Sequence, residues 1–419
     1  MNRKATVAAP DSRDMSDPFG IGFVGAGFIA RESHAPSVEY LPGVTVAGVA
    51  NPTQSRAEEF GATCRDEGWG DPAVYDETEV ADLAADPDVD GLWVTSPNHT
   101  RVDVVEAAVD AVAAGADLQG VALEKPVART VDEARRVLAL LDGADLPHAY
   151  LENWPHEPEI AETRELLWER GRDAGRPYLA RSKAEHGGPH AGWFWDGHKQ
   201  GGGALTDMLC HALAGNEFLL SDPEREDGGI EAASVDADTA TLKWDEDEYA
   251  ARLREEYGVD FAANPVEDYA RATVRYETSG GRTVVSEATG SWCFVGAGVS
   301  RDVELLGPEY SGRVVTDETA SSVFFSDAVG EGEGWAEKQT ATSGRMPVGG
   351  ATVVDGGYVA ENRDAVASFR AGENGRFDVA DGLDVVRLCM AAYRAAETGA
   401  TVALRSTDLE GYVPPPARE

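Results

Sequence analysis

Lys125 stands directly before Pro126 in the run Leu123-Glu124-Lys125-Pro126, at the end of a short apolar stretch. A lysine pinned beside a proline at a strand end cannot easily swing out to water. A strand end is where an open α/β sheet holds its ligand, although an ordinary ion pair would use the same residues. Further along, the run Gly201-Gly202-Gly203-Ala204-Leu205-Thr206-Asp207-Met208-Leu209-Cys210-His211 opens a helix. Asp207 and His211 lie one turn apart on it and share a face. Leu205, Met208, Leu209, Ala212 and Leu213 form an apolar stripe roughly opposite, so the pair faces solvent or a polar pocket. Imidazole titrates in the range useful for proton transfer, so a polar pocket there would have chemistry to offer. The three glycines predict something that approaches the backbone closely.

A second constellation points to a nucleotide. Gly25-Ala26-Gly27-Phe28-Ile29-Ala30 follows the apolar run Ile21–Val24 and has the GxGxxA spacing of a dinucleotide fingerprint. Gly25, Gly27, Phe28 and Ile29 would bring backbone N–H groups to a pyrophosphate at a helix N-terminus. The next strand ends in Asn51 rather than the acid that usually holds a ribose 2′-OH, and Arg56 follows. A neutral amide removes the repulsion toward a 2′-phosphate, which Arg56 could pair, so NADP is preferred slightly over NAD. Thr95-Ser96-Pro97-Asn98-His99 ends another strand, where Ser96, Pro97, Asn98 and His99 could flank a nicotinamide ribose or simply cap the following helix. Glu124 and Lys125 complete the expected cofactor contacts.

These residues need a frame. From Gly20 to about 150, short apolar runs alternate with helical stretches: Ile21–Val24, Val44–Ala50, Gly91–Ser96, Val121–Glu124 and His148–Leu151 read as strands. Val102–Ala114 and Val131–Leu141 read as helices between them. This alternation predicts a doubly wound parallel sheet, with Pro97 and Pro126 stopping strands at their ligand-binding ends. Beyond about Trp154 the period changes. Glu159–Arg170 and Ala204–Leu220 read as helices, and Val235–Trp244, Ala270–Tyr276, Thr283–Ala288, Asp302–Leu306, Arg313–Thr316 and Ser322–Phe325 as strands of a large, mostly antiparallel sheet. Helices Tyr358–Arg370 and Val379–Thr398 close the chain, with Gly399 as a stop. The expected organisation is a flexible tail over 1–19, a dinucleotide-binding domain over 20–150 and a second domain over 151–419. Asp245 to Tyr257 reads as an acidic surface insertion.

Near the domain junction Tyr150, Glu152, Asn153 and His156 follow one another closely, and Asn153 is the pocket candidate among them. His186 and His190 have HxxxH spacing, but Gly187, Gly188 and Pro189 forbid the helix that would align two rings on a metal. No metal is expected, and His186 reads as a substrate contact or a structural loop residue. Trp193, Phe194 and Trp195 could stack on a sugar face or pack in a core; Trp195 is taken as the substrate contact.

Composition narrows the partners. The 419 residues carry 75 acids against 36 bases, a formal net charge of −39, spread along the whole chain. A field of that sign disfavours nucleic acid and anionic lipid. It also resembles the surfaces of proteins from salt-accumulating halophiles, where molar salt screens self-repulsion. Cys64, Cys210, Cys293 and Cys389 are isolated and read as reduced cysteines of a cytoplasmic protein. The first residues lack the apolar stretch of a signal peptide, and no run is long enough to span a membrane.

Taken together, GxGxxA, TSPNH, LEKP and GGGxxxDxxxH, in this order from Gly20 to about Leu404, resemble the Gfo/Idh/MocA family of NAD(P)-dependent oxidoreductases, relatives of glucose–fructose oxidoreductase and inositol dehydrogenase. The resemblance implies a Rossmann domain followed by an α/β domain whose open sheet often forms a dimer or tetramer interface. It implies a sugar or polyol substrate, bound by Asn153, His186, Trp195, Asp207 and His211. By the same resemblance Lys125, Asp207 and His211 would be catalytic, with His211 oriented by Asp207. Arg101 stands where relatives carry a second histidine, and Asn51 where many carry an acid. A non-catalytic nucleotide sensor or assembly subunit, and an NAD-retaining glycosidase or epimerase, remain the alternatives.

Overall fold

Phe19–Val24 (β1) is an unbroken run in which every residue is buried, as a parallel strand covered on both faces requires. In the computed structural model, which describes residues 18–225, 227–296, 298–315, 321–325, 344–348 and 356–418, it sits at the centre of a six-stranded parallel sheet. Val44–Ala50 (β2), Ala73–Tyr75 (β3), Gly91–Val94 (β4), Gly120–Glu124 (β5) and His148–Leu151 (β6) complete it in the order β3-β2-β1-β4-β5-β6. The order reverses between β1 and β4, so a crevice opens beyond their carboxyl ends. The short strand β3 had no separate signal in the sequence. The tail expected over 1–19 lies almost wholly outside the described residues.

Leu179–Glu185 (β7), Ile230–Ala240 (β8), Tyr269–Thr278 (β9), Thr283–Ser291 (β10), Ser300–Leu306 (β11), Tyr310–Val315 (β12), Ser321–Phe325 (β13), Gly344–Val348 (β14) and Val402–Ala403 (β15) form the second sheet. Its order is β14-β13-β12-β11-β7-β10-β9-β8-β15. All neighbours are antiparallel except β7 and β10. Alternation is plain in β9, where Ala270, Ala272, Val274 and Tyr276 are buried and Arg271 and Arg275 exposed. Several boundaries move from the expected ones, one of them with a clear cause. The strand read as Val235–Trp244 ends at Ala240, because the N–H groups of Leu242, Lys243 and Trp244 donate instead to the Asp268 carboxylate.

Two helices behave differently from their sequence reading. Asp247–Tyr257 keeps its acids outside, yet Leu253 is 1% exposed and pins it to the core, so it is not a freely solvated insertion. Tyr358–Ala371 lies late in the chain but packs beneath the first sheet. Phe369 fills the space left by the missing side chain of Gly120 and meets Trp93 edge-on at 5.9 Å. The chain therefore returns to its first half, and the crevice is walled by both halves.

Candidate active site

A cleft of about 1260 Å³ lies at the carboxyl ends of β1, β4 and β5, above the roughly 300–1,000 Å³ usual for drug-sized ligands. Gly25 makes the turn out of β1. Its φ is +104°, and a Cβ there would stand 2.9 Å from the Ser96 backbone nitrogen, so only glycine fits. At Gly27 a Cβ would meet nothing within 4 Å, which leaves the floor of the cleft open. The N–H groups of Gly27, Phe28 and Ile29 begin the helix and find no acceptor within it, as an anion site at a helix start requires. The residues thus fit a dinucleotide pyrophosphate. Phe28 is half exposed, its ring 4.5 Å from that of His190, which brings the loop of the second half over the glycine turn.

The other expected cofactor residues also line this cleft, though several are already engaged. Asn51 accepts from Ala26 N–H at 3.1 Å and donates to the Thr53 carbonyl at 3.0 Å, so its carboxamide braces the glycine turn. The Arg56 guanidinium has no hydrogen bond or ion pair among the described residues. Asn98 spends its amide nitrogen on Gln200. Ser96 bonds Thr100 at 2.7 Å, and Pro97 begins the following turn. His99 is held below the ordinary histidine range by burial and by Arg129 and Lys199, and its Nδ1 is buried without a partner. Arg101 is buried. It lines the cleft and donates to the carbonyls of Glu124 and Lys125, and so fixes the end of β5.

At that strand end Lys125 Nζ donates to Asp207 twice, to its backbone carbonyl at 2.9 Å and to Oδ1 at 3.0 Å. Asp207 Oδ2 accepts from Trp292 Nε1 at 2.9 Å and lies 3.2 Å from His186 Nε2. His186 Nδ1 accepts from Gly188 N–H, which places the ring proton on Nε2, facing Asp207. Burial opposes both charges of the lysine–aspartate pair. The mutual attraction outweighs it, holding the Lys125 ammonium above the ordinary lysine range and the Asp207 carboxyl, also facing His186, far below the carboxylate range.

His211 is not oriented by Asp207, as the resemblance implied. Leu205–Leu209 is wound as a π turn, with Cys210 N–H bonding the Leu205 carbonyl five residues back, so the simple one-turn relation of the two side chains does not hold. His211 Nδ1 lies 2.7 Å from Glu152 Oε1, at the end of β6. A carboxylate only accepts, so Nδ1 carries the proton and Nε2, unpartnered among the described residues, is left as an acceptor in the cleft. Trp154 stacks on the imidazole at 6.0 Å and 12°. Glu152, which the sequence reading passed over for its neighbour Asn153, is the carboxylate that meets His211. Asn153 also lines the cleft, but its Nδ2 donates to the Gly356 carbonyl at 2.5 Å.

Trp195 is displaced from the role expected of it. The turn Gly192–Trp195 sends Trp193 and Phe194 to the cleft, while Trp195 points away, 1% exposed. It packs against Trp244 at 4.8 Å and Trp292 at 4.9 Å, so it is a core residue behind Asp207. The glycine run is corrected too. Its close neighbours are protein: a Cβ on Gly202 would lie 1.9 Å from the Tyr393 hydroxyl, and one on Gly203 2.2 Å from the Glu267 carbonyl. Glu267 Oε1 caps the helix start, accepting from Gly203 N–H, Leu205 N–H and the Tyr393 hydroxyl.

Burial pushes the Glu267 carboxyl up from 4.5 to about 7 despite these bonds. The folded state therefore holds this proton more tightly than the unfolded chain. The associated stability is fully present below about pH 4.5 and is lost as pH rises through about 7, at most about 3 kcal/mol. Glu267→Gln should flatten that part of the stability–pH profile, measured by urea unfolding of both proteins across the interval. Parallel profiles would refute the assignment.

A model of the oxidoreductase family with NAD-binding Rossmann fold (Gfo/Idh/MocA) matches residues 19–148, and a model of the GFO/IDH/MocA C-terminal domain matches 169–307. Among curated proteins, 1,5-anhydro-D-fructose reductase of Ensifer adhaerens is 29% identical over 207 residues, 49% of this chain and 57% of the relative. The D-xylose 1-dehydrogenase [NADP(+)] of Haloarcula marismortui is 25% identical over 260 residues, 58% and 67% respectively. The chain spans about half the length of the curated relatives it matches. A solved structure of levoglucosan dehydrogenase in complex with NADH and levoglucosan shares the fold with a TM-score of 0.71 at 18% identity, covering 93% of this chain and 100% of that one.

Proposed function

This chain belongs to the Gfo/Idh/MocA oxidoreductase family, and from that premise we propose that it is an NAD(P)-dependent dehydrogenase or reductase acting at a hydroxyl-bearing carbon of a sugar, polyol or related compound. The observation that carries the reading is the arrangement around one helix start. Lys125 is tied to Asp207, and His211 follows on the same helix with an open Nε2, in the cleft that the glycine turn begins. The bound nicotinamide would supply the hydride acceptor or donor. Within the chain, His211 Nε2 takes the hydroxyl proton during oxidation and returns it during reduction. Glu152 stabilises the imidazolium formed, and the Lys125 ammonium stabilises alkoxide character on the substrate oxygen.

Arg56, unpaired beside Asn51 at the end of β2, favours NADP, and the NADP(+)-linked relative from Haloarcula supports the same preference. We place the protein in the cytoplasm of a salt-accumulating cell, on the strength of its −39 charge and unpaired cysteines. Copies would associate as a dimer or tetramer through the outer face of the second sheet, where pairs such as Arg181–Glu287 and Arg271–Asp238 balance charge locally. No described helix is long and apolar enough to cross a membrane.

The test is a panel of sugars and polyols assayed for reduced-nicotinamide absorbance with NAD and with NADP, in dilute buffer and in about 2 M KCl, where the Debye length is below roughly 3 Å. Turnover with at least one hydroxylated substrate, higher in salt and with NADP, is expected. Substrate conversion without net cofactor reduction would overturn the dehydrogenase reading, and a melting temperature indifferent to salt would overturn the halophilic one.

A further inference from the structure

His34 sits at the end of the π turn Ala30–His34, immediately after the glycine loop, and is fully buried. Its two ring nitrogens meet two oxygens: Nε2 lies 3.1 Å from Glu124 Oε1, and Nδ1 lies 3.0 Å from Asn362 Oδ1. The orientation of the Asn362 amide is fixed by its other neighbours. Trp93 Nε1 can only donate, and it does so to Asn362 Oδ1 at 2.7 Å. Asn362 Nδ2 donates to Ser37 Oγ at 2.7 Å, and that hydroxyl donates in turn to the His34 carbonyl. Asn362 Oδ1 is therefore an acceptor, and His34 Nδ1 must carry a proton. A further proton lies between Nε2 and Glu124 Oε1.

We infer that His34 is a buried imidazolium and a positioning residue, which holds Glu124 as a carboxylate aimed into the cleft beside Lys125. The placement of that second proton follows from Glu124's surroundings. Burial would raise its carboxyl, yet it lies below the ordinary range: besides the His34 hydrogen bond, Lys125 follows it in the chain and Arg101 donates to its backbone carbonyl, two fixed cations that favour the carboxylate. The other titratable groups that act on Glu124 are Tyr358 and Glu361 on the helix Tyr358–Ala371 and Tyr150 on β6, whose hydroxyl is raised well above the ordinary range by burial. Burial raises the Glu361 carboxyl well above the ordinary carboxylate range, and the Tyr358 ring meets His34 edge-on at 5.3 Å. With Oε1 committed to His34, Glu124 Oε2 has no partner among the described residues. It is offered to a hydroxyl or amide N–H donor of the bound dinucleotide. One cation thus links the phosphate loop, the lysine strand and the helix Tyr358–Ala371.

This consequence for the cofactor rests on the function proposed above; the charge assignment rests on the geometry alone. Protein labelled with isotopic nitrogen in histidine, observed by NMR at neutral pH, should show one ring with two protonated, slowly exchanging nitrogens among its eight histidines. That signal should vanish in His34→Gln. Should this variant fail to fold, Glu124→Gln serves instead, and there the same ring should lose its Nε2 proton. His34→Gln keeps a donor but no charge, so the dissociation constant of the cofactor by fluorescence titration should rise ~10-fold, with turnover at saturating cofactor changed far less. Absence of a doubly protonated buried ring, or its persistence in His34→Gln, overturns the charge assignment. An unchanged cofactor dissociation constant overturns the positioning role. Failure of the wild-type chain to bind any nicotinamide dinucleotide would count against the proposed function and leave the imidazolium standing.

Discussion

Replacing His211 by Gln is expected to lower turnover by roughly 10²–10⁴-fold, the range for loss of a positioned acid/base, with cofactor affinity nearly unchanged. Glutamine is the informative substitution because it can still donate to Glu152. Alanine would leave Glu152, which is 0% exposed and has a second oxygen without a partner, as an uncompensated buried carboxylate. That arrangement costs about 3–5 kcal/mol of stability and would confuse lost chemistry with lost structure. The measurements are turnover, cofactor dissociation constant and melting temperature on the same preparations. The proton-transfer role predicts an inactive but stable Gln variant, and an Ala variant that is both inactive and less stable but partly rescued by added imidazole. Glu152→Gln should fall between wild type and His211→Gln, since it weakens the imidazolium's partner without removing the ring. Full turnover in His211→Gln would remove this residue from the mechanism.

Much of this site could be read from the chain before any fold was known, because it depends on local rules. A glycine at the β1 turn and a proline ending a strand each leave a mark within a few residues of sequence. The unread parts depend on contacts between distant elements. Glu152 occupies a strand end, which is itself a signal, but nothing in the sequence says that the β6 end meets the helix bearing His211. The π turn at Leu205–Leu209 displaces the face on which Asp207 was expected, and helical periodicity has no means of announcing it. The three glycines did signal a close approach; the approaching atoms belong to Tyr393 and Glu267 and not to a ligand. Trp195 illustrates the same limit, since aromatic residues in a run divide between core and cleft only when the turn that carries them is known. The return of Tyr358–Ala371 to the first sheet is a topological fact that a linear division at residue 150 could not contain.

Lys125→Met should remove turnover and destabilise the fold together, and the two losses can be separated. The ammonium is the principal charge that keeps Asp207 ionised in a buried site, with His186 and Trp292 adding hydrogen bonds to Oδ2. Without it burial dominates, and breaking such a pair from one side costs about 3–5 kcal/mol. The sign of the pH dependence follows. Asp207's carboxyl is depressed in the folded state, so its contribution is present above the unfolded carboxylate value and is lost only as pH falls well into the acid range. Lys125→Met should therefore be less stable than wild type throughout the neutral range, and the gap should narrow toward acid. Adding Asp207→Asn removes the stranded charge while keeping an acceptor for Trp292. The double variant should recover most of the stability and none of the turnover, giving a coupling energy well above the ~0.5 kcal/mol expected of independent sites. Urea unfolding and steady-state assays on the two single variants and the double variant measure both quantities. Simple additivity of the stability losses would mean that the ion pair seen at 3.0 Å does not govern the site. Turnover restored with stability would mean that Lys125 holds the fold and does no chemistry.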